Sequence, residues 1–267
     1  MKQPFKNLLG QLMFLAGFDE LLLRNAAVVV AFHRVRDTFD PTGLTISPDT
    51  FERHCAFFKQ HFDVVPLRDL VDRLHDGVRL DHHLAITFDD GYLDNYENAA
   101  PVLEKLSLPA TFFVVTQFMG SDRVPWWDMK QGVRHPWMTW DHVRSLQRMG
   151  FDVGAHTRTH VDLGAVSECV AQEEILGARL ELQKELGVPV DLFAYPYGRR
   201  RNLDTCSRDL VRANGFRCCC SSFGGINVSG GDPFQLRRVP ISPWYATPQQ
   251  FGLEVACRRS ELLLEVG

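Results

Sequence analysis

Two adjacent aspartates, Asp89 and Asp90, directly follow the apolar run Leu84–Phe88 and precede Gly91. The run predicts a buried parallel strand, and α/β barrels build their active sites at the carboxyl ends of such strands. Because successive side chains point in different directions, one carboxylate could bind a metal while the other moves protons. The alternative is an Asp-Gly turn that caps the helix starting near Asn95, and the pair alone does not separate the two.

A pair of histidines lies in the equivalent place after another predicted strand. The run Phe151–Ala155 leads into the segment HTRTH, which places His156 and His160 four residues apart. This spacing can bring both imidazoles to one side of a helical turn, where they could share a metal ion. Such a pair is weak evidence by itself, because exposed histidine pairs are common. Its place at a strand end, like that of the two aspartates, favours a metal site.

A third strand end and one long loop carry aromatic residues. The segment FAYPYG contains Tyr195, Pro196 and Tyr197, which could shape a groove and stack on sugar faces. The backbone amide near Tyr197 could bind an oxyanion, although a rigid turn needs no ligand. Residues 117–138 form an irregular insertion whose tryptophans, including Trp126 and Trp127, predict a substrate wall. The alternative is a hydrophobic plug without ligand contact.

In this order, TFDDGY, HTRTH and FAYPYG resemble the first three motifs of the polysaccharide deacetylases of carbohydrate esterase family four, also called the nodulation-type deacetylase homology domain. The resemblance covers roughly residues 27–245. It implies that Asp89 is the catalytic base and that Asp90, His156 and His160 ligate one divalent metal ion. Zinc is the first choice for a His-His-Asp set, and cobalt or nickel would also fit. The implied reaction removes N-acetyl groups from a sugar polymer or oligomer of the N-acetylglucosamine type.

Two positions depart from the family pattern. The arginine that usually pairs with the base is replaced by Ala194, and no histidine follows His160. His33 ends the first predicted strand, so it should reach the same rim and serve as the general acid; the alternative is a core histidine. This sequence resembles a subgroup of the family that includes poly-N-acetylglucosamine deacetylases. That subgroup has a first-strand histidine in place of the late motif and FAYPYG in place of the arginine-bearing motif. For the missing arginine, Arg237 and Arg238 are the candidates, and the sequence does not choose between them.

Apolar runs alternate with helical patterns along the chain, which predicts a distorted (β/α) barrel of about seven or eight parallel strands in a single domain. The catalytic domain is predicted to cover residues 27–267, preceded by an amphipathic helix over residues 1–26. The predicted strands are Ala27–Phe32, Asp63–Val65, Leu84–Phe88, Ala110–Val115, Phe151–Ala155, Asp191–Tyr195, Phe216–Ser221 and Arg237–Ile241.

Three helices have recognisable ends. Ser47 followed by proline predicts a helix start, and Ser167 to Leu186 is the longest amphipathic segment, closed by Gly187. Thr247 predicts a capping-box start for a last helix that runs toward Leu264.

Composition limits the function classes. The 267 residues are 45% hydrophobic and have a net charge of −4, which is typical of a globular domain and not of a nucleic-acid binder. The basic run Arg199-Arg200-Arg201 is interpreted as a solvated loop. The seven cysteines, with Cys218, Cys219 and Cys220 adjacent, show no disulfide framework. Free thiols weakly favour a reducing compartment.

The N-terminal segment combines Lys2 and Lys6 with an apolar stretch that Asp19 and Glu20 close. It lacks a clear cleavage site, so we expect a helix that touches a membrane surface or the barrel, and a protein that is cytoplasmic or peripherally membrane-associated. No apolar run approaches the length of a membrane span.

Two other functions remain open from the sequence. One is hydrolysis of a different amide, such as that of a lipid-linked amino sugar or a cyclic imide. The other is a catalytically silent carbohydrate-binding relative.

Overall fold

A curved, mostly parallel sheet forms the centre of the computed structural model, which describes residues 3–17, 23–38, 40, 42–203, 205–245 and 247–255. Nine strands of the described chain join one sheet, and β2 and β3 pair separately. The strands are β1 (Ala26–Phe32), β2 (Arg34–Val35), β3 (Thr45–Ile46), β4 (Asp63–Val64), β5 (His83–Phe88), β6 (Thr111–Val114), β7 (Asp152–Ala155), β8 (Leu192–Ala194), β9 (Cys218–Cys220), β10 (Asn227–Val228) and β11 (Val239–Pro240).

The strand order explains the curvature. The path through the sheet runs β10-β1-β5-β6-β7-β8-β9, with β4 paired to β5 and β11 paired to β1. A parallel bridge between Cys220 and Leu236 connects the end of β9 to the segment before β11, so the two edges of the sheet approach each other. The predicted barrel class and the eight predicted strands are confirmed, with ends shifted by one or two residues. The short antiparallel strand β10 was not predicted.

Helices cover the sheet between its strands. They are α1 (Gln3–Leu15), α2 (Pro48–His61), α3 (Leu67–His75), α4 (Ala100–Leu106), α5 (Trp126–Met129), α6 (Trp140–Arg148), α7 (Glu168–Leu186) and α8 (Thr205–Ala213), and residues 248–255 are also helical. A π-helical turn, Asn95–Ala99, runs directly into α4.

The predicted helix ends are largely present. Ser47 Oγ accepts the Thr50 amide at 3.2 Å, and Gly187 ends α7 in the left-handed conformation with φ 68°. Thr247 accepts the Gln250 amide at 3.2 Å, but the Gln250 side chain donates to the Trp244 carbonyl. The reciprocal half of the predicted capping box is therefore not made, and the expected run toward Leu264 lies outside the described residues.

Apolar clusters cover both faces of the sheet, so β1 is buried along its whole length. Val28 and Val30 pack in the cluster that faces most of the helices. Ala27 and Val29 pack in a second cluster that α3 helps to close. The cysteines of β9 divide in the same way, and the described cysteines are free thiols, as predicted.

Helix α1 packs against residues 247–255 and leaves apolar side chains in solvent. Asn7 pairs with Thr247, and Met13 packs with Leu253. The exposed side chains include Phe5, Leu8, Leu9, Leu12 and Leu15. No helix of the described residues is long and apolar enough to cross a membrane. Contact of α1 with a membrane surface stays a prediction.

Candidate active site

Strand register brings the catalytic candidates together. In the parallel pair of β1 and β5, Phe32 lies opposite Phe88, so His33 and Asp89 are the next residues on neighbouring strands. The Asp89 amide donates to the Phe32 carbonyl at 2.9 Å, and His33 Nε2 lies 4.0 Å from Asp89 Oδ2. On the other side, β6 and β7 pair so that His156 follows directly after Ala155. The segments singled out in the sequence therefore converge at one end of the sheet.

Asp90, His156 and His160 form a buried cluster. Asp90 Oδ1 lies 3.2 Å from His160 Nε2 and 3.4 Å from His156 Nε2. One potential ligand atom of each residue lies within 4.8 Å of the others. One carboxylate oxygen and two imidazole nitrogens are a common donor set for a divalent metal with open positions for water and substrate.

The hydrogen bonds of the cluster fit a metal ion. His156 Nδ1 lies 2.8 Å from the Ala194 carbonyl and must donate to it, which leaves the Nε2 lone pair directed at Asp90. Asp90 Oδ1 is buried and accepts no hydrogen bond from the described residues, so a cation, either a metal ion or a protonated imidazole, would complete its environment. Burial alone would raise the pKa of Asp90, but the two nearby imidazoles outweigh it and hold that pKa well below its usual range.

The loops that carry these ligands have unusual backbone conformations. Asp90, Thr157, His160 and Tyr197 all have φ between 60° and 73°, a left-handed region that non-glycine residues rarely adopt. Each such residue costs free energy and persists only where the surroundings impose it. Their concentration on three strand ends of one sheet makes this rim the candidate functional site.

Asp89 is held by a buried arginine. Arg238 Nη1 and Nη2 lie 2.8 and 2.7 Å from Asp89 Oδ1 and Oδ2, and the two side chains are 0% and 1% exposed. Burial would raise the pKa of Asp89, but the Arg238 charge outweighs it and lowers that pKa. Of the two candidate arginines, the structure therefore places Arg238 on the carboxylate. Arg237 points away, and its backbone pairs with the Asn227 side chain.

His33 lies at the mouth of the same pocket. Its side chain is 16% exposed and faces Asp89. Burial lowers the pKa of His33, and this effect outweighs the attraction of Asp90 and Asp89. For His156 the balance is reversed: burial opposes the charged form, but Asp89 and Asp90 raise its pKa. The lowered pKa favours the neutral form of His33 and makes its imidazolium form a stronger acid.

The ligand cluster and His33 line a cavity of about 490 Å³. Trp126 and Trp127, carried by α5, and Tyr197 form one wall. The Trp126 indole donates to the Tyr197 hydroxyl at 3.0 Å, and the Trp127 ring lies 4.7 Å from the His160 ring. The third tryptophan of the insertion, Trp137, is instead buried against Tyr92.

Tyr195 and Pro196 do not line this cavity, and their role in substrate binding stays a prediction. Tyr195 is 2% exposed, and its ring packs 5.4 Å from that of Phe193. The turn after β8 sends successive side chains to different sides, so that Tyr197 alone of the three reaches the pocket. The approach of Gly198 to Ser222 fixes this turn, because a Cβ at Gly198 would lie 2.3 Å from the Ser222 nitrogen.

Two supporting contacts were not predicted. The buried Arg34 binds Asp128 of α5 at 2.8 Å, which anchors the aromatic wall to the barrel. Glu174 of α7 accepts the backbone amides of Arg158 and Thr159 at 2.9 and 2.8 Å, which holds the histidine loop. These contacts join residues 94, 16 and 15 positions apart, and no local pattern signals them.

Replacing Arg238 by Met should destabilise the protein by about 3–5 kcal/mol, because it leaves Asp89 as an unpaired buried charge. Any turnover that uses Asp89 as a base should fall as well, since a buried carboxylate without its arginine partner becomes protonated more readily. Urea unfolding and a turnover assay measure the two effects. Arg237→Met is the matched control and should change unfolding much less. Equal losses in the two variants would contradict the assignment of Arg238.

The fold and the site define an α/β-barrel protein with a candidate metal centre at the carboxyl ends of its strands. The family model of polysaccharide deacetylases matches residues 77–219, more than half of the chain. The chain therefore belongs to the polysaccharide deacetylase family, and the resemblance seen in the sequence is confirmed. The matched range contains Asp89, Asp90, His156 and His160, but neither His33 nor Arg238.

Similar proteins agree with this assignment. Poly-beta-1,6-N-acetyl-D-glucosamine N-deacetylase of Staphylococcus aureus is 24% identical over 195 residues, which cover 65% of either chain. The Bacillus subtilis protein YxkH is 26% identical over 158 residues, which cover 59% of this chain and 51% of that one. This chain thus spans about half to two thirds of the length of these relatives.

Two solved structures share the fold. IcaB from Ammonifex degensii has a TM-score of 0.71 and 25% identity, with 85% of this chain and 96% of that one covered. The Streptococcus pyogenes deacetylase PplD has a TM-score of 0.73 and 20% identity at the same coverage.

Proposed function

We propose that this protein is a metal-dependent N-deacetylase of a polymer or oligomer that contains N-acetylglucosamine-type sugars. The observation that carries the proposal is the buried Asp90, His156 and His160 cluster beside an ion-paired Asp89, at the base of an aromatic-walled pocket. The name of the Staphylococcus aureus relative supports the same sugar class.

Asp90, His156 and His160 would hold the metal ion. When bound, a divalent ion would polarise the acetyl carbonyl and lower the pKa of a water molecule. Zinc suits this donor set best, and cobalt and nickel also fit.

Asp89 would act as the general base. Arg238 binds both carboxylate oxygens of Asp89, which keeps Asp89 ionised and fixes its orientation. The ionised carboxylate can then take a proton from the attacking water. Arg238, which directly precedes β11, thus supplies the positive charge that the family pattern places at the position of Ala194.

His33 would protonate the leaving nitrogen. Its Nε2 is 4.0 Å from Asp89 Oδ2, so the base and the acid flank one space, and a lowered pKa makes its imidazolium a stronger acid. The Tyr197 amide donates no hydrogen bond within the described residues and can serve the developing oxyanion. Trp126 and Trp127 would orient the sugar by stacking.

The test is acetate release from β-1,6-linked N-acetylglucosamine oligomers by the purified protein loaded with zinc. We expect turnover, its loss after dialysis against a chelator, and its return when zinc, cobalt or nickel is added back. A cyclic imide and a lipid-linked N-acetylated amino sugar, tested in parallel, address the rival amides. Oligomer binding without acetate release under any of these metals would replace the proposal with a catalytically silent carbohydrate-binding function.

A further inference from the structure

A second cavity adjoins the catalytic pocket and is rich in arginine. It has a volume of about 350 Å³, and the described residues of its lining include Arg200, Arg208 and Arg237 but no carboxylate. We call it the arginine pocket. Tyr195 and Cys219, both buried, lie along its inner side.

These arginines form no ion pairs with described residues. Within the described chain, Arg200, Arg208 and Arg237 form no salt bridge, unlike the buried arginines Arg34 and Arg238. Arg208 Nε is buried and has no hydrogen-bond partner among the described residues. A buried donor without an acceptor costs free energy, so the pocket favours a ligand that brings acceptor oxygens.

The nearest described carboxylate, Asp232, already has other partners. Asp232 precedes the Pro233–Gln235 turn beside the pocket, but its Oδ1 accepts the Phe234 amide at 2.9 Å and pairs with Arg212 at 3.4 Å. The Arg200 guanidinium lies 5.7 Å from the Phe223 ring centroid. The Arg237 side chain lies against Gly225, where a Cβ would come within 2.8 Å of its Cδ. Phe223 lines the pocket, so the Arg200 cation is held against the pocket wall.

The arginine pocket and the catalytic pocket share a wall. Along it, successive residues line opposite sides: Arg199 and Arg201 face the catalytic pocket, and Arg200 faces the arginine pocket. Ser222 and Ser221 divide in the same way. The wall is pinned by Asn202, whose side chain accepts the Arg199 amide at 3.1 Å and donates to Asp162 at 2.6 Å. Two short chain segments, residues 199–201 and residues 221–222, therefore separate the two cavities.

We propose that the arginine pocket binds an oxyanion, a carboxylate or phosphate group, on the sugar next to the one whose N-acetyl group enters the catalytic pocket. The proposal rests on the deacetylase function and narrows its substrate to an acidic heteropolymer. Arg199 and Arg201 at the catalytic pocket add to the same preference. The run that the sequence presents as a solvated basic loop is thereby given a binding role.

Anion binding is tested first, without reference to activity. Calorimetric titration of the zinc-loaded protein with glucuronic acid and with inorganic phosphate, at constant ionic strength, should show binding that Arg208→Gln weakens by at least about tenfold. Arg148→Gln removes the same charge from a distant exposed site and should bind as the wild type does. Equal binding by the two variants would overturn the proposal, because the anion would then lie elsewhere.

The source of the anion is tested by two substrates. Arg208→Gln should lower kcat/KM at least about tenfold on an oligomer in which N-acetylglucosamine alternates with glucuronic acid, and leave a neutral oligomer within about twofold. Arg200→Gln should repeat this result. Arg208-dependent anion binding without any preference for the acidic oligomer would overturn the substrate assignment in favour of a free anion. If no oligomer is deacetylated but Arg208-dependent binding of glucuronic acid is present, the arginine pocket stands and the deacetylase function fails.

Discussion

Asp90→Asn should lose bound metal and acetate release together, whereas Asp89→Asn should keep the metal and lose only turnover. Asp90 lies within 3.4 Å of both imidazoles, while Asp89 is turned toward Arg238. Loss of a residue that only hydrogen-bonds to a metal ligand typically weakens metal binding by about 10–100-fold. Loss of a direct ligand should weaken it more. Loss of a general base should reduce turnover by about 10²–10⁴-fold.

Metal content per chain, measured by plasma mass spectrometry after equilibrium dialysis, separates the two carboxylates. His156→Ala serves as the reference for a lost ligand, and the unfolding midpoint of each variant shows whether the fold is retained. Similar metal content in Asp89→Asn and Asp90→Asn would show that the two residues do not divide the work in this way.

His33→Ala should reduce turnover on an N-acetylated sugar by about 10²–10⁴-fold with metal content unchanged, if His33 protonates the leaving amine. An activated aryl acetate departs without needing a proton, so the variant should hydrolyse it at a rate much closer to that of the wild type. The ratio of the two rates is therefore the decisive measurement.

The control for this variant is His75→Ala, at the exposed end of α3, which should leave both rates unchanged. A uniform loss on the sugar and on the aryl acetate would assign His33 a structural role. No loss on either substrate would remove it from the mechanism.

The positions of the main site residues could be predicted because they depend on local patterns. Apolar runs that end in Asp89-Asp90 and in His156 place these side chains at strand ends, and parallel strands bring their ends to one edge. His33 follows from the same rule, since Phe32 and Phe88 are in register.

The choice between Arg237 and Arg238 could not be made in this way. It depends on the register of β11 against β1, where Pro240 lies opposite Ala31, and a shift of one residue would exchange the two arginines. No local feature of the segment fixes that register. The outcome follows from a pairing between parts of the chain about 200 residues apart.

Tyr195 and Trp137 show a second limit. Both are aromatic residues in segments that also contribute pocket residues, yet both are buried in the core. An aromatic ring suits a sugar-binding wall and a packed interior equally well, and only the direction of each side chain decides between them. The direction is set by the turn after β8 and by the stacking of Trp137 on Tyr92.

The reaction of the β9 cysteines with a thiol reagent can measure local opening of the barrel. Cys219 and Cys220 are 1% and 0% exposed, and burial raises the pKa of both thiols, so the reactive thiolate is scarce in the native state. Cys169 and Cys206 are exposed and accessible to reagent at once. Cys55 of α2 is buried as well, so labelling must be followed at Cys219 and Cys220 individually. Their slow labelling then reports the transient opening of β9, which pairs with β8, the strand that leads into the Tyr197 turn. Labelling in the presence and absence of ligand would thus reveal how strongly substrate locks that part of the barrel.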